Sequence, residues 1–159
     1  MPSLLYLILI PSSLSSFEGI SLGELLEENI TQPFKCSPPV SIHTQAKLTI
    51  NSFKKGGDGG GPSECDNRYH SDNIPVAALS IGWFNNRKRC SRFITIHGNG
   101  RSVKAKVVDE CNSTMGCDAD RDYQPPCRNH IGDASKAVWK ALGVSKSDWG
   151  ELDIFWSDA

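Results

Sequence analysis

The chain has 159 residues, enough for one domain of ordinary size with a real buried core. Its 17 Lys and Arg nearly balance 18 Asp and Glu, and 38% of the residues are hydrophobic. That balance excludes a polybasic nucleic-acid binder and an acidic solvating tail, and the short cluster "NNRKR" at 85–89 has no interleaved aromatic residues on which bases would stack.

In chain order, the first feature is the apolar run Leu4–Ile10, followed by small residues suited to a signal peptidase. It predicts a signal peptide over residues 1–19, although no Lys or Arg precedes the run, and a mis-assigned start is the competing reading. The run is too short for a bilayer, which needs about 20 apolar residues. Residues 20–45 read as an N-terminal tether. Leu22, Leu25, Leu26 and Ile30 hint at one or two helical turns before Pro33, "CSPPV" then enforces an extended path, and Cys36 pins the segment to the body. Asn29 and Asn112 each open a glycosylation sequon.

From 46 to 159 the pattern is of short strands between polar or glycine-rich loops. "AKLTINSF" (46–53) alternates with Leu48 and Ile50 on one face. "VAALSIGW" (76–83) is a buried strand ending at Gly82. "RFITIHG" (92–98) sets Phe93 and Thr95 against Ile94 and Ile96. "VKAKVVDEC" (103–111) turns Val103, Ala105 and Val107 away from Lys104 and Lys106, and "ELDIFW" (151–156) is the last strand. "HGNGRS" (97–102) predicts a hairpin turn, because Asn-Gly readily takes positive φ. "DASKAVWKALG" (133–143) predicts the one helix, with Asp133 as N-cap, Gly143 as C-cap and an apolar stripe through Ala134, Ala137, Val138, Ala141 and Leu142. Trp139 falls off that stripe, to pack on a neighbouring loop or stand exposed.

Six cysteines, Cys36, Cys65, Cys90, Cys111, Cys117 and Cys127, are scattered over loops behind an apolar leader, which reads as a disulfide framework. Zinc would need close ligand pairs. The nearest, Cys111 and Cys117, have five residues between them and no His nearby. Sequence alone does not choose the pairing.

"KKGGDGGGPSECD" (54–66) is the most unusual stretch. A phosphate cradle would require a helix after the glycines, and Pro62 to Asp66 carry no helical period and no Gly-Lys-Ser/Thr. A free linker would not be bounded by a strand on one side and Cys65 on the other. The stretch therefore reads as a positioned loop, its glycines permitting positive φ and close backbone approach, with Asp58 and Asp66 as polar contacts too few for calcium. No metal and no cofactor is expected.

The blocks "LTINSFKKGGDGGGPSECDNRYHSD", "ALSIGWFNNRKRC", "VKAKVVDECNSTMGCD", "PPCRNHIGDASKAVWKALG" and "IFWSDA" resemble the kiwellin family of plant ripening-related proteins, related to barwin and to the first domain of expansins. The resemblance runs from about Cys36 to Ala159. It implies a mainly β, six-stranded double-psi barrel (46–159) with one or two short helices, disulfide-bonded, grooved and secreted to the plant cell wall or apoplast, with a role in defence or ripening. Some members bind enzymes secreted by fungal pathogens, notably chorismate mutases. Full-length kiwellins carry a cysteine-rich module ahead of the barrel. Its cysteines are absent here, so the shorter ripening-related members are the nearer comparison.

Two functions compete on this frame. Expansin-like glycan activity would use acidic groove residues, with Asp109, beside Glu110, and Asp133 as the candidate pair. The expansin His-Phe-Asp motif corresponds to Ile131-Gly132-Asp133. The aspartate is kept, Ile131 takes the His position, and His130 lies one residue off register. The bland readings are a helix cap for Asp133 and a strand-end residue bonded to backbone amides for Asp109. His43, His70, His97 and His130 form no compact set in sequence. The favoured reading is a non-catalytic, monomeric binding protein whose disulfide-held loops meet a secreted pathogen protein or, in the alternative, a wall glycan. Its candidate contacts are Gly57, Asp58, Gly59 and Gly60 in the glycine loop, Tyr69 and His70 after it, and Trp83, Phe84 and Arg87 beyond the second strand. Trp83 also fits a core position.

Overall fold

Period-two alternation, with apolar side chains turned to one face, is what lets these strands enclose a core. The computed structural model describes residues 37–112 and 127–159. β1 (Thr44–Ile50) turns Thr44, Ala46 and Leu48 inward, and β2 (Val76–Ser80) is buried on both faces. β3 (Phe93–Gly98) buries Ile94 and Ile96 and exposes Phe93, while β4 (Arg101–Cys111) buries Ala105 and Val107. β5 (Ile131–Ala134) and β6 (Glu151–Asp158) complete the set.

The strands follow the order β1-β5-β2-β4-β3-β6 and close into a barrel. β1/β5 and β2/β4 run parallel, and the other four pairings are antiparallel. Closure removes every open sheet edge. This is the mainly β, six-stranded double-psi barrel that the resemblance implied. Its core joins inward residues of all six strands to Trp83 and Phe84 of α1 (Ile81–Phe84) and to Val138 and Trp139 of α2 (Lys136–Ala141). Trp83 meets Trp156 edge to face, with ring centroids 5.3 Å apart. A smaller cluster, Phe53, Val76, Ala78 and Val108, packs on the outer wall.

Several boundaries differ from expectation. β1 starts at Thr44 and releases Ser52 and Phe53. Residues 37–43, read as tether, lie against the barrel: Trp83 Nε1 donates to the Pro38 carbonyl at 2.8 Å, and Val40 packs on the core. The strand expected over 76–83 ends at Ser80, where the chain turns into α1. Asp133 is not a helix cap. Both edges of its backbone segment are taken by ladders, parallel to β1 and antiparallel to β2, and Ser135 stands at the N-cap position instead. The helix is rotated from the expected stripe, so Trp139 is wholly buried and Ala141 exposed. Gly143 follows the helix with φ +69°, and Asn99 and Gly100 make the β3–β4 turn with φ of 50° and 70°.

Two disulfides are present among the described residues, Cys65–Cys90 and Cys111–Cys127. Cys36 and Cys117 lie outside the described residues, as do the expected signal peptide and Asn29. No helix among the described residues is long and apolar enough to cross a membrane.

Candidate functional site

The glycine loop folds back on the end of β1. The Gly59 N–H donates to the Ser52 carbonyl at 3.1 Å, and the Ser52 N–H donates to Asp58 Oδ1 at 2.8 Å. A Cβ at Gly57 would lie 2.3 Å from Ser52 Oγ, and one at Gly59 would lie 2.5 Å from the Ser52 carbonyl oxygen. These two glycines are thus required by close approach to Ser52, Gly57 to its side chain and Gly59 to its carbonyl. Asp58 spends one carboxylate oxygen on the same strand end. Gly60 carries φ +78°.

Beyond the glycines, the chain is tied at short intervals. The Cys65 N–H donates to the Val108 carbonyl at 3.0 Å, the His70 N–H to the Phe53 carbonyl at 2.8 Å, and the His70 ring lies 3.2 Å from the Asp66 carboxylate. The Cys65–Cys90 bridge joins this segment to the loop after α1, where Asn85, Asn86 and Arg87 take φ of 52°, 54° and 69° in succession. Non-glycine residues rarely take that conformation, so neighbours must hold it. Arg87 supplies part of the hold. Its Nη1 pairs with Glu64 Oε1 at 2.8 Å and its Nη2 donates to the Cys65 carbonyl at 3.2 Å. Segments 54–74 and 85–91 thereby form one braced surface. Tyr69 is 40% exposed on it, and the Arg87 side chain is 54% exposed. Trp83 and Phe84, expected as contacts, are each only 1% exposed. They sit on α1 with their rings in the core and present no surface to a partner.

The candidate carboxylates lie on the barrel wall next to the same segment, with Asp109 bonded to the Glu64 N–H. Thr49 pairs with Asp133, Asp133 with Ala78, and Ala78 with Asp109, giving one row across β1, β5, β2 and β4. Paired residues share a face, and two strand spacings put Asp133 and Asp109 about 10 Å apart at Cα. Asp133 Oδ1 accepts from Thr49 Oγ1, and its Oδ2 lies 3.2 Å from Cys111 Sγ. That sulfur is in a disulfide and has no proton to give, so the contact covers the carboxyl without satisfying it. Burial pushes Asp133 up to about 6, against the Thr49 hydrogen bond and with help from the nearby Asp58 charge. Asp109 is also raised to about 6 by burial, although its Oδ1 accepts from the Glu64 and Glu110 N–H groups at 2.9 Å each. The backbone-bonded reading of Asp109 therefore describes its contacts. Neither carboxyl lines the cleft beside Tyr69 or the cleft of about 740 Å³ at the β3–β4 hairpin.

One arrangement had no signal in the sequence. His43 and His97 flank the Phe155 ring at 4.8 and 4.6 Å, which brings two distant histidines to one surface. Only the outward phase of Phe155, between inward Ile154 and Trp156, could have flagged it. Among the described residues, no group of three His, Cys, Asp or Glu is placed to hold a metal ion.

Known proteins agree with this architecture. Among solved structures, an expansin of Clavibacter michiganensis superposes with a TM-score of 0.54 at 19% identity, over 74% of this chain and 50% of that one. A mutant of that expansin in complex with cellohexaose matches equally well. A Streptomyces papain inhibitor reaches a TM-score of 0.50 at 19% identity, over 75% of this chain and 96% of that one. At such identity the likeness concerns the fold alone. Sequence relatives are nearer. The kiwellin of Actinidia chinensis is 58% identical over 127 residues, 79% of this chain and 59% of that one. Putative ripening-related protein 2 of rice, Oryza sativa, is 55% identical over 126 residues, again 79% of this chain and 66% of the relative. Grape (Vitis vinifera) ripening-related protein grip22 is 55% identical over 127 residues, 79% of this chain and 57% of its own length. The chain therefore spans between 57% and 66% of the length of these relatives. The Kiwellin-1 family model matches residues 27–159, and with relatives at this identity the chain belongs to the kiwellin family of plant ripening-related proteins.

Proposed function

We propose that this chain is a secreted, non-catalytic binding protein of plant defence or ripening. It docks, as a monomer, a protein secreted by a pathogen, such as a fungal chorismate mutase, through segments 54–74 and 85–91. The carrying observation is the bracing of those segments by Cys65–Cys90, Arg87 and Glu64, with Tyr69 left in solvent. A surface ordered before contact loses little conformational entropy on docking, and Tyr and Arg are the side chains that most often anchor interfaces. The test is titration calorimetry against a secreted fungal chorismate mutase and against purified wall polysaccharides. Binding to the protein should weaken about ten-fold or more when Tyr69→Ala and Arg87→Ala are combined. Capture of no secreted protein, with saturable binding to wall polysaccharide, would overturn the reading.

The competing reading is an expansin-like, wall-modifying or wall-glycan-binding protein. Its specific support is the row that carries Asp133 and Asp109 on one face, together with a structural neighbour bound to cellohexaose. The closure of Asp133 beneath Cys111 weighs against it. Glycan cleavage by the native chain that disappears in Asp133→Asn would establish it.

A further inference from the structure

Beside the glycine loop lies a cleft of about 520 Å³ whose walls include Lys54, Lys55, Lys136, Tyr69, Asp72 and Asn73. Its charges are lopsided. Asp72 is the acid in the wall, with a side chain only 12% exposed, and both its oxygens face the Ser52 hydroxyl, at 3.0 and 2.9 Å. Its link to Lys136 is long, at 3.8 Å. His70, also in the wall, is engaged with Asp66. Lys54 and Lys55 are exposed, and neither is in an ion pair among the described residues. The open mouth of the cleft is thus cationic.

The backbone that carries these lysines is fixed. Phe53, just before them, is 4% exposed in the outer cluster, and the Lys54 carbonyl accepts from the Gly57 N–H at 3.0 Å. The opposite wall, 69–73, hangs from the Phe53 carbonyl and holds the Ala137 N–H through the Asp72 carbonyl at 3.0 Å. Four large hydrophobic side chains are exposed among the described residues, and two of them are Tyr69 in this wall, at 40%, and Ile74 just after it, at 53%. An apolar anchor next to unpaired cations suits a protein segment better than a bare polyanion, because protein interfaces combine an apolar centre with a charged rim.

We infer that the Lys54–Lys55–Lys136 cleft receives an acidic segment of the protein partner, with Tyr69 and Ile74 covering an apolar residue of that segment. This rests on the protein-binding reading above and names the chemistry of the partner. The probe is a fluorescein-labelled peptide, Glu-Glu-Leu-Glu-Glu-Leu, followed by anisotropy on the intact chain at low and high salt. It should bind at low salt and weaken as salt rises. Lys54→Glu combined with Lys55→Glu should weaken it about ten-fold, and Tyr69→Ala about three-fold with an unchanged salt dependence. Lys104→Glu combined with Lys146→Glu, exposed cations outside the cleft, should leave it unchanged. Indifference to the Lys54/Lys55 reversal would overturn the inference. So would tighter binding of polygalacturonate with the same dependence on those lysines, which marks a glycan site. Capture of the secreted protein separates the two levels. Equal capture by the native chain and by the Lys54/Lys55 variant refutes the cleft and keeps the protein-binding reading, whereas no capture by either refutes that reading itself.

Discussion

At the braced loop end, Lys54, Lys55 and Arg87 stand in solvent beside Tyr69. Across β1, β5, β2 and β4, Asp133 and Asp109 are instead partly buried, one against a disulfide sulfur and the other against the Glu64 backbone. Each region is held by one disulfide, with opposite effect: Cys65–Cys90 orders a surface and leaves it open, while Cys111–Cys127 closes over a carboxyl. Raised carboxyl pKa values often mark catalytic acids. Here the rise comes first from burial, and one oxygen of each is occupied, Asp133 Oδ1 by Thr49 and Asp109 Oδ1 by backbone N–H groups. A general acid must reach the leaving group, and these contacts restrict that reach. This contrast is why the proposed reading puts recognition at the loop end and gives the row an internal role.

Removing each bridge in turn tests the two regions separately. Losing a native disulfide from a small secreted domain typically costs about 2–5 kcal/mol. Cys65→Ala with Cys90→Ala should lower the melting temperature by about 10 °C and abolish partner binding, because Arg87 and the 54–74 segment lose their tie. Cys111→Ala with Cys127→Ala should destabilise by a similar amount, yet leave the loop surface and its binding intact. Calorimetric melting and partner titration of both variants read this directly. Equal loss of binding in the two would erase the distinction between the regions.

A pH profile sharpens the second half of the comparison. A carboxyl whose folded pKa is raised takes up its proton more readily in the folded state than in the unfolded one. Asp133, raised from 3.8 to about 6, therefore adds stability that is complete below about pH 4 and lost as pH climbs through 6. The shift sets an upper bound of about 3 kcal/mol. Asp133→Asn should match the native protein near pH 4 and exceed its stability near pH 7, flattening the profile in urea unfolding. An unchanged profile would mean that the carboxyl is solvated and open, as the glycan reading requires.

Much of this arrangement was legible in the sequence, for reasons that differ by element. β3, β4 and their turn were readable because Ile94, Ile96, Ala105 and Val107 alternate cleanly and Asn99-Gly100 fixes the turn. β5 was hidden. Four residues, "IGDA", are too few to display a period, and Asp133 ahead of an alanine stripe mimics a helix cap. Pairing with two neighbouring strands overrode that local signal. The run 76–84 is apolar but for Ser80, with no break in pattern strong enough to mark the point where β2 becomes α1, or to show that Trp83 and Phe84 turn inward. At the site, the glycine loop was legible as positioned. Its reason was not, since the contact of Gly57 and Gly59 with Ser52 depends on the loop's return path. The disulfide over Asp133 was beyond reach for the same reason: the sequence counted the cysteines but did not pair them.

The finest test concerns Arg87, where stability and recognition should separate. Its side chain makes an exposed ion pair with Glu64, a kind of contact worth less than about 1 kcal/mol. Its backbone sits at φ +69°, third in a row of left-handed residues, a conformation that disfavours a side-chain-bearing residue by roughly 1 kcal/mol. Arg87→Ala removes the pair and keeps the unfavourable φ, so it should destabilise by about 0.5–1 kcal/mol. Arg87→Gly removes the pair and relieves the φ penalty, though glycine loses more entropy on folding, so it should fall within about 0.5 kcal/mol of the native protein. Binding should drop to the same extent in both, because both lose the guanidinium. If the glycine variant instead binds like the native chain, the guanidinium is neither a contact nor a needed brace, and the contact surface contracts to Tyr69 and the lysine cleft beside it.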